Sequence, residues 1–330
     1  MAELHFSRKL PQAIALSVLF LVVGRVGASA QGTVIEMAAE CFGADPALQP
    51  LCLEGALALQ AARGGVGLAA ASLGTPVPGS TSTLGRRLGS SPRLALSVRG
   101  GLAHADMPDP RTGGVDKRTF SALPVEVGVT VGVLNGFALL PTVGGIFSLD
   151  LLGSATLVGL SDSAGFDGSI EGLGYGVRLG LLRESFTLPG VSVSVVRRSM
   201  TQASWGRADA DRVNLTFKPT ATSVRAVAGK DFLAVGVLGG WGWERYSGST
   251  TLTVRQTVGG LVRTGQASSG VFTSDRQLYF GGFSYTFLVL QVSAEVGYAT
   301  GWADTLGRPA GGNDPTKGSV FGSVASRLTW

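Results

Sequence analysis

Residues 320–330 read VFGSVASRLTW and alternate along the chain between two kinds of side chain. Val324, Leu328 and Trp330 fall on one parity, whereas Arg327 falls on the other together with Phe321, Ser323, Ala325 and Thr329. A period of two is that of a β-strand with one apolar face. A tilted strand of about 9–11 residues is long enough to cross a bilayer. The stretch therefore predicts a membrane-spanning strand.

This final strand resembles the C-terminal strand of bacterial outer-membrane β-barrel proteins, which ends on an aromatic residue and serves as an assembly signal. The resemblance implies that the protein is located in the outer membrane of a bacterial cell. It also implies two partners, the outer-membrane lipid and the barrel assembly machinery. The residues that would form the assembly signal are Val324, Leu328 and Trp330.

The N-terminal residues have the three parts of a secretory signal. Two basic residues precede an apolar run over 13–23, and Ala-Ser-Ala at 28–30 has a small-x-small cleavage pattern. An uncleaved spanning helix would need about 20 apolar residues, and Arg25 interrupts this run. We predict that residues 1–30 are a signal peptide and that the mature chain starts at Gln31.

The composition agrees with a barrel. The mean hydropathy is +0.30, although no later stretch is apolar enough to span as a helix. High hydropathy without a helical span is typical of strands that place an apolar residue at every second position. The formal net charge of +5 comes from scattered basic residues, and nothing in it indicates nucleic-acid binding. The prediction is an all-β fold, a transmembrane antiparallel up-and-down β-barrel over residues 93–330.

Parity and connection lengths together predict the strand count. Short and long connections alternate along the chain, as periplasmic turns and external loops do in such barrels, and this gives ten strands. Residues 137–160 are predicted as one long strand bent near Pro141, and a bulge is predicted near Pro219 within the sixth strand. The sequence also allows a further membrane hairpin over residues 251–258 and 261–266, which would make twelve strands.

Aromatic residues are expected in two belts at the membrane interfaces. The outer belt is predicted to contain Phe120, Trp241, Trp243, Tyr246, Tyr298 and Trp302. The inner belt is predicted to contain Phe137, Phe232, Tyr285, Phe287 and Trp330.

Residues 31–92 do not share the strand pattern. Cys41 and Cys52 are the only cysteines, and an oxidising compartment favours a disulfide between them. A short helix is predicted over 53–62, followed by a segment rich in Gly, Ser, Thr and Pro over 64–89. This N-terminal segment either lies in the periplasm or folds into the barrel as a plug.

Charged residues on the inward parity are the candidate functional residues. They either line a water-filled path, with a weak preference for anions, or pair with one another and fill the lumen. These lumen-facing residues are predicted to be Arg99, Glu126, Arg178, Arg198, Lys218, Glu244, Glu295 and Arg327.

No constellation of catalytic residues is evident, and we predict no enzyme, no metal site and no cofactor. His104 is the one histidine outside the signal peptide, with Asp106 close by. The ten-stranded omptin surface proteases use Asp and His at the barrel rim, but the residues around His104 match none of their motifs. A hydrolase like the outer-membrane phospholipase would need a serine and a histidine on neighbouring strand faces, and no G-x-S-x-G motif occurs.

Three functions follow in order of preference. The first is a porin-like or ligand-transport channel for small solutes. A hydrophobic ligand is included, because the Ala/Gly-rich lead-in resembles the long-chain fatty-acid transporter family. The alternative is a closed structural or surface-interaction barrel that acts through its extracellular loops. An omptin-like surface protease is the third, and the sequence leaves the oligomeric state open.

Overall fold

The computed structural model describes residues 34–71, 73–85, 91–109, 117–138, 144–160, 165–207, 211–269, 273–301 and 317–330. The predicted signal peptide and Trp302 lie outside the described residues. Two helices and a short 3-10 turn precede the strands: α1 (Val34–Phe42), the turn Pro46–Leu48 and α2 (Gln49–Ala71). Neither helix combines the length and the hydropathy that a membrane crossing requires.

Ten strands form a closed antiparallel barrel, as predicted. Their order around the barrel is β1-β2-β3-β4-β5-β8-β9-β12-β13-β14, and β14 pairs with β1, for example at Leu96 and Leu328. The barrel strands are β1 (Leu94–Pro108), β2 (Lys117–Leu134), β3 (Ser148–Leu160), β4 (Ser169–Leu182), β5 (Gly190–Met200), β8 (Thr220–Phe232), β9 (Val235–Ser247), β12 (Ser274–Phe287), β13 (Leu290–Ala299) and β14 (Ser319–Thr329).

A separate four-stranded sheet is built from the longer connections. Its strands are β6 (Ala203–Trp205), β7 (Val213–Phe217), β10 (Thr250–Val258) and β11 (Leu261–Ser269), in the order β11-β10-β7-β6. The hairpin that would have made twelve strands belongs to this sheet, because β10 pairs with β7 and not with a barrel strand. We call it the outer sheet, since it lies at the end of the barrel that carries the long connections.

Two strand predictions are wrong. Residues 137–160 are not one strand: Phe137 and Ile146 form an isolated bridge, and β3 begins at Ser148. Gly145 has a φ of +77°, which reverses the chain where a bend was expected. No bulge at Pro219 is needed either, because β7 and β8 belong to different sheets and each keeps its own parity.

The outward face of the barrel is apolar and exposed, and its inward face is polar and buried. A band of this kind is stable against lipid and not against water, so the barrel spans a membrane. The exposed apolar residues of this face include Leu96, Val98, Leu102, Leu123, Val125, Val127, Val129, Leu151, Leu157, Val237, Val292 and Val296.

The aromatic belts are found in part. All five residues predicted for the inner belt are exposed, as are Trp241 and Tyr298 of the outer belt. Phe120 and Tyr246 were predicted for the outer belt, but both are buried inside the barrel mouth. Both lie on the inward parity of their strands, Phe120 with Glu126 and Tyr246 with Glu244, and α2 packs against them there.

Candidate functional site: a lumen occupied by the N-terminal segment

The helices α1 and α2 form a small unit that is joined by a disulfide. Cys41 and Cys52 are bonded, with their Cα atoms 5.7 Å apart, which confirms the predicted pair. The helix predicted over 53–62 extends from Gln49 to Ala71. The glycines that follow residue 62 predicted an earlier end of the helix. They lie inside α2, at points where side chains of other elements approach the helix closely.

This helical unit packs on the outer sheet. A Cβ atom on Gly55 of α2 would lie 2.6 Å from Leu252 of β10, so the helix backbone is in direct contact with the sheet. The two Oδ atoms of Asp45 each accept a hydrogen bond from Arg263 Nη1 at 2.9 Å. The backbone N–H of Ser268 donates to Glu40 Oε1 at 3.1 Å. The unit therefore lies at the long-loop end of the barrel.

The ion pair between Asp45 and Arg263 predicts a pH dependence. The hydrogen bond from Arg263 lowers the pKa of Asp45 below its usual value. A lowered folded-state pKa means that the pair stabilises the attachment above the unfolded pKa of about 4, and that this contribution is lost as pH falls through the folded value. We expect pepsin to cut the helical unit faster as pH is lowered from about 5 to about 2.

Asp45→Asn is the matched control for this prediction. It lacks the titrating carboxylate, so its cleavage should be faster than that of the wild type at about pH 5 and should change less with pH. Equal pH profiles for the two proteins would contradict the assigned role of Asp45.

The C-terminal half of α2 enters the barrel mouth. A Cβ atom on Gly65 would lie 2.3 Å from Phe120 Cζ, and one on Gly67 would lie 2.2 Å from Tyr246 Cδ1. Arg63 Nη2 donates to Ser274 Oγ at 2.8 Å, and Arg276 donates to the carbonyl of Gly64. Only glycine lets the helix approach the two rings this closely.

Residues 73–85, the lumenal segment, continue from α2 into the barrel. Near mid-height, Thr75 donates to the carboxylate of Glu295 through both its N–H, at 2.9 Å, and its hydroxyl, at 2.6 Å. Arg99 donates to the carbonyls of Thr75, at 2.5 Å, and Pro76, at 3.1 Å. Arg99 and Glu295 are both buried.

The same segment continues to the short-turn end of the barrel. Gln291 donates to the carbonyl of Gly79 at 3.1 Å, and Arg178 donates to the carbonyl of Ser80 at 2.6 Å. The N–H of Leu84 donates to both carboxylate oxygens of Asp150, at 3.0 and 3.1 Å. The lumenal segment thus contacts inward side chains of β1, β3, β4, β12 and β13.

The remaining buried charges pair with one another. Glu126 lies between Arg99 and Arg198 and accepts from Arg198 Nε at 3.1 Å. Glu244 accepts from Arg225 Nη2 at 3.0 Å and from the hydroxyl of Tyr246. These pairs and the lumenal segment both lie in the interior of the barrel.

Seven of the eight lumen-facing predictions fall on inward positions of barrel strands. Arg99, Glu126, Arg178, Arg198, Glu244 and Glu295 are buried, and Arg327 is half-buried. Lys218 differs from the prediction, because it is exposed in the connection between β7 and β8. Its parity was counted along one strand, whereas the chain changes sheet there.

Several inward residues were missed by the sequence reasoning, among them Asp150 and Arg225. Asp150 was missed because residues 137–160 were predicted as one strand, although Asp150 alternates with Leu149 and Leu151. Arg225 alternates with Val224 in β8, and that signal was available once the strand was phased correctly. Both side chains are buried and engage oppositely charged or main-chain groups.

The remaining predicted residues lie on the outward face. Val324, Leu328 and Trp330 are exposed on β14 and just beyond it. His104 and Ser121 face each other on β1 and β2, with His104 Nδ1 2.9 Å from Ser121 Oγ. The neighbouring Asp106 accepts from Thr119 at 2.5 Å. Among the described residues, no group of His, Cys, Asp and Glu could hold a metal ion.

Comparisons with known proteins find similarity among solved structures. No protein-family model matches the sequence, and no curated protein matches it. The outer membrane protease OmpT from Escherichia coli is similar at 8% identity and a TM-score of 0.37, over 76% of this chain and 100% of that one. The transport unit of the autotransporter AIDA-I from Escherichia coli is similar at 10% identity and 0.36, over 82% and 98%. The Pseudomonas putida toluene transporter TodX is similar at 8% identity and 0.32, over 77% and 96%.

Structural similarity at these TM-scores does not indicate a function. The closed barrel of ten strands and its apolar exterior assign the class from this chain's own geometry. The chain is an outer-membrane β-barrel protein.

Proposed function

We propose that this outer-membrane barrel is closed in its resting state and acts through its outer face, as a surface-interaction protein. The observation that carries the proposal is the lumenal segment, which hydrogen-bonds to buried groups of five barrel strands from mid-height to the inner end. Six of the predicted lumen-facing charges are paired with this segment or with each other, whereas two buried guanidinium nitrogens of Arg327 have no hydrogen-bond partner among the described residues. The porin-like channel, preferred from sequence, is the alternative, and it would require this segment to leave the lumen.

The outer face offers the surface for such contacts. The outer sheet and the helical unit form one packed layer, and the hairpin of β10 and β11 carries Leu261 and Val262 with 69% and 67% of their surface exposed. Large apolar side chains that are exposed together at a loop tip are typical of contact sites. Long external loops are also where barrels carry recognition.

Delivery to this location is part of the proposal. Residues 1–30 would direct export and be removed, and the outward-facing Val324, Leu328 and Trp330 would be read by the barrel assembly machinery. The protein would then lie in outer-membrane lipid with no enzymatic role.

Conductance in a planar lipid bilayer tests whether the lumen is closed. We expect the full-length protein to be silent and a variant lacking residues 34–85 to give steady channels, because the deletion removes the groups that fill the lumen. A variant lacking residues 250–269 is the control, since it loses part of the outer sheet and keeps the lumenal segment. It should stay silent. Steady channels in the full-length protein would contradict the proposal and restore the solute-transport function.

Epitope tags on intact cells test where the helical unit lies. A tag after Gly43, in the connection that follows α1, should be reached by antibody on intact cells, as should a tag at the Gly259–Gly260 turn. A tag at the Leu233–Ala234 turn should be reached only after the outer membrane is permeabilised. If the Gly43 tag behaves like the Leu233 tag, the helical unit does not lie at the cell surface.

A further inference from the structure

The lumenal segment is held mainly through its main chain. Barrel side chains contact main-chain oxygens or N–H groups of six of its residues, whereas only three of its own side chains, those of Thr75, Ser82 and Thr83, hydrogen-bond to the barrel. The residues held through their main chain are Leu73, Thr75, Pro76, Gly79, Ser80 and Leu84.

Carbonyl and N–H groups of the lumenal segment both bond to charged side chains of the barrel. Arg99 and Arg178 donate to carbonyl oxygens, and Glu295 and Asp150 accept from N–H groups. Hydrogen bonds with a charged partner are about twice as strong as neutral ones. A peptide group is the one feature that every extended polypeptide offers at regular intervals.

The lumen also limits the size of what it holds. Gly74 has a φ of +81°, and a Cβ atom there would lie 2.7 Å from Glu295 Oε2. Gly79 has a φ of +63°, and a Cβ atom there would lie 2.8 Å from Ser284 Cβ. Side chains at these two points would collide with the barrel wall, so the lumen requires glycine at positions 74 and 79.

We propose that the lumen is a binding site for a polypeptide segment, which it recognises through the main chain. In the resting state the bound polypeptide is the protein's own residues 73–85. This inference deepens the proposed closed barrel and rests on it. A segment with other side chains of similar size, but with glycine retained at 74 and 79, would close the lumen equally well.

Proline and alanine substitutions at the same two positions separate main-chain from side-chain recognition. Thr75→Pro with Leu84→Pro removes the N–H groups that reach Glu295 and Asp150, whereas Thr75→Ala with Leu84→Ala keeps them. Both variants lose the same side chains. Pro76 and Pro78 already lie in this segment.

The readout is the open fraction of the full-length variants in a planar lipid bilayer. We expect the proline variant to show an open fraction at least about tenfold higher than that of the alanine variant, which corresponds to about 1.4 kcal/mol. Ser82→Ala with Thr83→Ala should show an open fraction no higher than that of the alanine variant. The heat-dependent shift in gel mobility checks that each barrel has formed, and single proline variants replace the double variant if it fails to fold.

Two results would overturn the inference. Equal conductance of the alanine and proline variants would show that side chains or packing hold the segment. A silent proline variant with a folded barrel would show that the two N–H groups do not matter. Conductance by the wild-type protein would contradict the closed barrel, which is a different failure. In that case main-chain recognition is still tested, because the proline variant should then carry a larger current than the alanine variant.

Discussion

Replacing Glu126 by alanine is expected to lower the free energy of unfolding by about 3 to 5 kcal/mol. Its carboxylate is fully buried between Arg99 and Arg198, and it also accepts from Thr156 at 2.8 Å. Its loss leaves two buried guanidinium groups without the anion that they share. Arg99 keeps its bonds to the carbonyls of the lumenal segment, whereas the Nε of Arg198 loses its carboxylate partner.

Urea unfolding of the lipid-inserted barrel measures this effect. Asp275→Ala is the matched control, because it breaks the pair with Arg245, in which the side chains are 28% and 40% exposed. Solvent screens such a pair, so the control should cost about 0–1 kcal/mol. Glu126→Gln should lie between the two, since it keeps the volume and one acceptor. A cost for Glu126→Ala no larger than that of the control would show that the interior is hydrated.

Replacing Gly67 by valine is expected to displace α2 from the barrel mouth. The added atoms would overlap the ring of Tyr246, which is fixed by its bond to Glu244 and by Arg276, whose guanidinium lies 5.0 Å from the ring centroid. Overpacking of this kind costs about 1–3 kcal/mol, so exposure of the helical unit to protease should rise roughly 5- to 150-fold. The barrel strands should stay resistant.

Gly100→Val is the control for this prediction. A Cβ atom at Gly100 has no neighbour nearer than the Pro124 carbonyl oxygen at 4.0 Å, so the same substitution there should leave the helical unit resistant. Limited proteolysis of the refolded full-length protein is the measurement. If the helical unit resists protease equally well in the Gly67→Val and Gly100→Val variants, α2 does not pack against Tyr246 in the membrane.

Most of the barrel could be predicted because its cause is local. Alternation along a strand such as β14 places lipid-facing and inward side chains by parity alone, and most of the inward charges were found in this way. The prediction of residues 137–160 as one strand was wrong because a positive φ at Gly145 reverses the chain without changing the hydrophobic pattern. Lys218 was misplaced because the chain leaves the barrel for the outer sheet, and pairing partners are not encoded in parity.

The sequence by itself determined the class of fold, most of the strand phases and the disulfide, because each follows from neighbours in the chain and from the chemistry of side chains in lipid. Only the tertiary structure decided that residues 73–85 occupy the lumen and that residues 251–266 join the outer sheet. These outcomes depend on contacts such as Thr75 with Glu295, between residues 220 positions apart. A segment rich in Gly, Ser, Thr and Pro has the same local preferences in water as in a barrel. Its place is set by the buried charges that its main chain satisfies.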